Sequence, residues 1–285
     1  MSIRILTDSG CDLPKEIIEK YNIDVLPLTV CLGENEYLDS VTIAPKEVYD
    51  NMREGKVYKT SQVPPSKFKE VFFNYVENGD TCIYIGFSSG LTGTFQSAII
   101  ARDDVLESYP DFDLYMIDTK CASIGFGLVV YKAAIMLSEG KTKEEILENI
   151  KFNSKHMEHI FTVDSLEYLF RGGRVSRTSA FIGDLLNIRP ILDVEDGKLI
   201  PIEKVRGRKK SLKRIVDIAG ERGVNLQNQI IGISHGDCLE EAEKLKEMLE
   251  EKYGCKSFLI NTVGAVIGAH SGPGTIALFF LNIEE

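Results

Sequence analysis

Residues 80–100 read DTCIYIGFSSGLTGTFQSAII. The opening TCIYIGF is a short continuous apolar run, the pattern of a strand buried on both faces. The closing TGTFQSAII begins a helix that runs on through ARDDVLESY. A loop rich in glycine and hydroxyl groups joins the two. A strand that feeds a helix in this way is the repeating unit of a parallel α/β sheet. Its loop falls at the carboxyl edge of the sheet, where open α/β sheets bind ligands.

The same alternation extends on both sides. IRILTDS (3–9) reads as a strand and DLPKEIIEKYN (12–22) as a helix with Pro14 near its first turn. IDVLPLTVCLG (23–33) is strand-like. APKEVYDNMREG (44–55) and PSKFKEVFFNYVENG (65–79) read as helices closed by glycine. DLYMIDT (113–119) is a further strand, followed by the helical GFGLVVYKAAIMLSEGK (125–141). The amphipathic KTKEEILENIKFNSKHM (141–157) reads as a connecting helix. Beyond it, HIFTVDS, QIIGISHGD and SFLINTV are strands, and RPILDVEDGKLIPIEKV (189–205) is a hairpin about Asp196-Gly197. SLKRIVDIAGERG and CLEEAEKLKEMLEEKYG are amphipathic helices. The expected architecture is α/β in two parts. An N-terminal α/β/α domain over residues 1–153 is built on a parallel sheet, and a smaller C-terminal α/β domain spans 154–285.

Composition narrows the function. The 285 residues carry a formal charge of -10. That argues against nucleic acid as the main partner, because phosphate binding needs a basic face. No run approaches the roughly 20 apolar residues of a membrane span, and the N-terminus lacks the pattern of a signal peptide. The six cysteines are scattered without a C-x-x-C. They fit a reducing cytoplasm better than a disulfide framework.

The 86–90 segment, Gly-Phe-Ser-Ser-Gly, matches the G-x-S-x-G of a hydrolase nucleophile elbow. A serine esterase or thioesterase using Ser88 is therefore one reading, with Asp193 and His270 in the required chain order. Helix capping is a second. The third is anion binding, with Ser88, Ser89, Thr92 and Thr94 at a helix N-terminus and glycines exposing backbone N–H groups. There is no Gly-Lys-Ser/Thr of a nucleotide-binding P-loop. Three other stretches repeat the theme: Thr7-Asp8-Ser9 at a strand end, Thr60 and Ser61 in YKTSQVPPS, and His270 and Ser271 in the Gly-rich VGAVIGAHSGPGTIAL. His156 and His159 lack a third metal ligand nearby, and His235 reads as structural. The basic run KVRGRKKSLKR (204–214) is either a solvated face or a docking surface.

Taken in order along the chain, TDSGCDLP, KTSQVPPS, SSGLTGTFQSA, LEYLFRGGRVS, LLNIRPIL, DGKL, KVRGRKKSL and GAHSGPGTIAL form a series. The series resembles the DegV family, the fatty-acid-binding subunits of bacterial fatty acid kinase, over about residues 3–281. The resemblance implies two α/β domains with a ligand site between them. It implies a long-chain, palmitate-like fatty acid with its tail in an apolar tunnel, and no cofactor or metal. By the same resemblance, the carboxylate lies on Thr60 or Ser61, on Ser88, Ser89 or Thr92, and on His270 and Arg206. The implied partner is a separate kinase with a dihydroxyacetone-kinase-like domain, which phosphorylates the carboxylate to an acyl phosphate used in phospholipid synthesis. The expected place is the cytoplasm, with no stable membrane insertion and at most transient membrane contact.

The physical chemistry agrees. A buried carboxylate needs partners, and hydroxyls, backbone N–H groups and a helix N-terminus supply them without a full positive charge. An acyl chain of about 16 carbons contributes on the order of 10 kcal/mol on burial, before the cost of ordering it. The apolar runs FGLVVYKAAIML (126–137), SAFIGDLLNI (179–188) and TIALFFLNI (275–283) offer surface for a tunnel. Charge at Arg208, Lys209 and Lys210 is expected to serve kinase docking.

Overall fold

A computed structural model describes residues 2–176 and 187–284. The first part contains β1 (Ile3–Asp8), α1 (Lys15–Lys20), β2 (Asp24–Leu26), β3 (Thr29–Leu32), β4 (Asn35–Leu38), α2 (Pro45–Arg53), β5 (Lys59–Ser61), α3 (Pro65–Asn78) and β6 (Thr81–Gly86). It continues through α4 (Thr94–Ser108), β7 (Leu114–Asp118), α5 (Ser123–Ser138) and α6 (Lys143–His156). Then follow β8 (Met157–Thr162), α7 (Glu167–Arg171), β9 (Ile188–Glu195), β10 (Lys198–Arg206), α8 (Arg208–Arg222) and β11 (Ile230–His235). The chain closes with α9 (Leu239–Tyr253), β12 (Ser257–Thr262), α10 (Ala265–Ser271) and β13 (Ile276–Leu281).

Strands β2-β1-β6-β7 form a parallel sheet. Its side chains alternate between two cores, as the period of two along a strand requires. Leu6, Cys82 and Tyr84 pack with Phe68 and Phe72 of α3 and Ala98 and Ala101 of α4. Ile5, Ile83 and Ile85 pack on the opposite face with Val129 of α5 and Ile146 and Ile150 of α6. Every residue of β6 is buried, as a strand covered on both faces must be.

The second sheet has six strands in the order β10-β9-β8-β13-β11-β12 and is antiparallel except for the β11–β12 pair. Helices α8 and α9 cover one face through Ile215, Val216, Leu245 and Leu249. Helix α5 lies against the other face as well as against the parallel sheet, so one core runs between the two sheets. The β9–β10 hairpin turns at Asp196 (φ 45°) and Gly197 (φ 75°). Two successive positive φ values are the tight hairpin geometry that an Asp-Gly pair favours.

Two features depart from the sequence reading. The strand-like 23–33 segment breaks at Pro27, which has no N–H to donate to a ladder. Its halves join different sheets: β2 extends the parallel sheet, while β3 forms a three-stranded antiparallel sheet with β4 and β5. The Gly-rich 263–278 turn contains a short helix, α10.

Candidate functional site

A cavity of about 290 Å³ lies between the sheets. Its wall draws on the ends of several elements. Thr60 and Ser61 come from β5, Leu91, Thr92 and Gly93 from the loop entering α4, and Val266, Ile267 and His270 from α10. Phe161 and Phe279 come from the six-stranded sheet, and Val194 and Leu199 from the β9–β10 hairpin. The lining is mainly apolar, and its polar groups include a cluster at the end near β5 and α10.

That cluster is built around His270. Its Nε2 lies 2.7 Å from Thr60 Oγ1. Burial, reinforced by the positive charge of Arg174, pushes the imidazole down to a pKa of about 4, so it is neutral at pH 7. Gly172 makes the placement possible, because a Cβ there would collide with His270 Nδ1. Arg174 is the one lysine or arginine among the described residues that line the cavity. Its Nε donates to the Leu91 carbonyl at 3.0 Å and its Nη1 to the Gly172 carbonyl at 2.6 Å. Burial pushes the guanidinium pKa down, and no carboxylate pairs with Arg174 among the described residues. A half-buried cation held by two carbonyls, with no other hydrogen-bond partner among the described residues, has capacity left for an anion. The N-terminus of α4, beside Thr92 and Gly93, adds partial positive charge at the same wall.

Of the residues expected at the carboxylate, Thr60, Ser61, Thr92 and His270 line the cavity. Ser88, Ser89 and Arg206 do not. Ser88 is fully buried, donates to the Gly197 carbonyl at 2.8 Å and accepts from the Gly90 N–H at 3.1 Å. Ser89 is exposed and bonds Asp118 and Lys120. Arg206 ends β10 on the surface.

The hydrolase triad does not assemble. The Ser88 hydroxyl proton is spent on a carbonyl, His270 faces Thr60, and Asp193 is paired with Arg222 at 2.5 Å. The elbow-like G-x-S-x-G is a turn whose serine holds backbone groups.

Arg174 places a full positive charge in the cavity wall, where the sequence reading names hydroxyls, His270 and Arg206. Its sequence signal was the RGGR of residues 171–174, where paired glycines between arginines mark a close backbone approach. The tunnel expectations divide. From 275–283, Thr275, Ala277 and Phe279 face the cavity, in the alternation of a strand. The 126–137 run of α5 is core between the sheets. The 179–188 run lies almost wholly outside the described residues. Arg208 is committed to Glu241 at 2.5 Å and to Asp164 at 3.5 Å, so it is a structural ion pair rather than free docking charge. The exposed Lys209 and Lys210 follow it. No described helix is long and apolar enough to cross a membrane.

Fold and site together define an α/β protein of a parallel sheet, a six-stranded mixed sheet and a small antiparallel sheet, with an internal amphipathic cavity, mainly apolar and cationic at one end. The chain belongs to the DegV family, whose model matches residues 2–282. A DegV domain-containing protein of Clostridium perfringens is 46% identical over 281 residues, covering 98% of this chain and 97% of the relative. A DegV family protein from Thermus thermophilus, described as fatty-acid binding, superposes with a TM-score of 0.88 at 31% identity, covering 99% of this chain and 100% of that one. A stearic-acid-binding protein from Eubacterium ventriosum gives a TM-score of 0.90 at 29% identity, covering 99% and 98%.

Proposed function

We propose that this protein binds one long-chain fatty acid in the cavity. The carboxylate lies at the Thr60–His270–Arg174 end and the tail runs along Phe161, Val194 and Phe279. The observation that carries the reading is Arg174: a cation without a carboxylate partner among the described residues, in the wall of a mainly apolar cavity. A neutral His270 suits the role. When its Nε2–H donates to Thr60 Oγ1, the threonine hydroxyl is free to donate to the ligand. Thr92 and the α4 N-terminus stand at the same wall. That structural neighbours of the same family hold fatty acids supports the same assignment.

The reading extends to presentation of the bound acid to a separate kinase. Thr60, Arg174 and His270 also line an outer pocket with Lys56, Lys59 and Arg171. The carboxylate end therefore lies next to a positively charged surface pocket. Attack of a carboxylate oxygen on the terminal phosphorus of a nucleotide would form the acyl phosphate and release the diphosphate. The nucleotide and its metal would come from the partner, since this sequence carries no phosphate-binding loop of the P-loop type.

Native mass spectrometry of freshly purified protein, followed by extraction and lipid identification, tests the reading. A discrete added mass matching a long-chain fatty acid is expected. A protein that is empty and takes up no added fatty acid would refute it.

A further inference from the structure

The cavity abuts a surface depression at each of two places. Thr60, Arg174 and His270 are shared with the outer cationic pocket. His159 and Val194 are shared with a surface groove that Ile117 and Met157 help to floor and Lys120, Lys151 and Lys155 edge. At the second boundary His159 and Val194 stand between the cavity and the groove.

The two residues of that boundary are held differently. His159 is fixed from both ring nitrogens. Nδ1 lies 3.0 Å from the Met157 carbonyl, Nε2 accepts from the Ala122 N–H at 3.2 Å, and the ring packs edge-on against Phe279. Val194 stands just before the tip of the β9–β10 hairpin, and Leu199, just after the tip, lines the cavity too. The tip rests on the 88–90 loop of the parallel sheet. Its one hydrogen bond to that loop among the described residues is Ser88 Oγ to the Gly197 carbonyl. Gly197 combines a positive φ of 75° with a position where a Cβ would strike Ser88 Oγ, so the tip fits only as glycine.

We infer that the hairpin tip is the chain-length stop of the cavity, with Val194 as the plug and the Ser88 hydroxyl as its latch. The inference rests on the fatty-acid reading above. A tail longer than the closed cavity has to push Val194 towards the Lys120–Lys151–Lys155 groove, working against the latch and the strand pairing behind it. Once the plug is smaller or loose, added methylenes gain burial, and each gained methylene raises affinity roughly fourfold.

The test offers the delipidated full chain an equimolar mixture of saturated fatty acids of 14, 16, 18 and 20 carbons and reads the bound distribution by native mass spectrometry. Val194→Ala should move the distribution to longer chains and Val194→Phe to shorter ones. Ser88→Ala should move it in the same direction as Val194→Ala. Because Ser88 is buried and its loss also touches folding, the two Val194 variants carry the decision. Distributions equal to wild type in both, or shifted in the same direction, overturn the stop. A Ser88→Ala protein that folds and matches wild type overturns the latch. If wild type itself takes up none of the four acids, the fatty-acid reading fails and the stop falls with it, an outcome distinct from unchanged selectivity.

Discussion

Replacing Arg174 by glutamine tests the head-group assignment with two ligands at once. The guanidinium makes two bonds to carbonyls, from Nε to Leu91 and from Nη1 to Gly172, and lacks a carboxylate partner among the described residues. In the unliganded protein the substitution loses about 1 kcal/mol for each neutral-acceptor bond it cannot remake. It also removes a partly buried charge, which offsets much of that loss. The melting temperature of delipidated protein should therefore shift by only a few degrees. With a carboxylate bound, the lost contact is charge-assisted, about 1.5–3 kcal/mol, or roughly 10- to 150-fold in affinity. A fatty alcohol of equal length buries the same tail without the charge and should lose far less. Calorimetric titration of both ligands into wild type and Arg174→Gln gives the ratio directly. An equal loss for acid and alcohol, or no loss for either, would refute the placement of the carboxylate beside Arg174.

Three further outcomes follow from the same geometry. Thr60→Ala should weaken fatty-acid binding by roughly tenfold, the range of a neutral hydrogen bond, measured by displacement of a fluorescent fatty acid, with the fold retained by circular dichroism. His270 has a pKa of about 4 in the folded protein against the ordinary histidine value of 6.5, so between those values the unfolded chain binds the extra proton and stability falls as pH falls. Wild type should lose about 3 kcal/mol more than His270→Asn between pH 6.5 and 4 in denaturant titrations, since the buried carboxyls act in the opposite sense in both proteins and cancel in the difference. Charge reversal at Lys209 and Lys210, leaving Arg208 to its Glu241 pair, should weaken kinase-dependent acyl-phosphate formation and spare lipid binding; equal loss of both would remove this face as the dock.

Much of the fold is legible from short-range pattern alone. The continuous apolar run of β6 and the helices flanking it state a sheet covered on both faces, and Asp196-Gly197 states its hairpin. What stays hidden depends on contacts between distant segments. Ser88 looks like a nucleophile because its neighbours in sequence fit that role. Only the hairpin tip, 109 residues on, shows that its hydroxyl is spent on a carbonyl. Arg174 is hidden for the converse reason: whether an arginine has a carboxylate partner is a property of three-dimensional neighbours. The α5 run and the cavity-facing side of β13 are equally apolar in sequence, and which of them meets a cavity is decided by where the two sheets part.

The motif at residues 7–14 gains its meaning in the same way. Its Asp12 and the nearby Asp39 do not line the cavity, yet they set it. Asp12 accepts from the Gly264 N–H at 2.9 Å and from Ser123 Oγ at 2.5 Å. Asp39, bonded to Ser9 of the motif at 3.0 Å, accepts from the Ala265 N–H at 2.9 Å. Tyr49 donates to the Val263 carbonyl from the same side. Burial raises the pKa of both acids, and no salt bridge joins either to a cation among the described residues. Convergent donors and the start of a helix offset part of that cost. The helix they grip is α10, which carries Val266, Ile267 and His270 into the cavity. The imidazole of the C-terminal segment is thus positioned by carboxyls of the N-terminal segment, while its hydrogen-bond partner Thr60 stands on the N-terminal side as well. Two buried acids that would otherwise destabilise the protein hold His270 in register, and the polar end of the cavity forms only where the two segments meet.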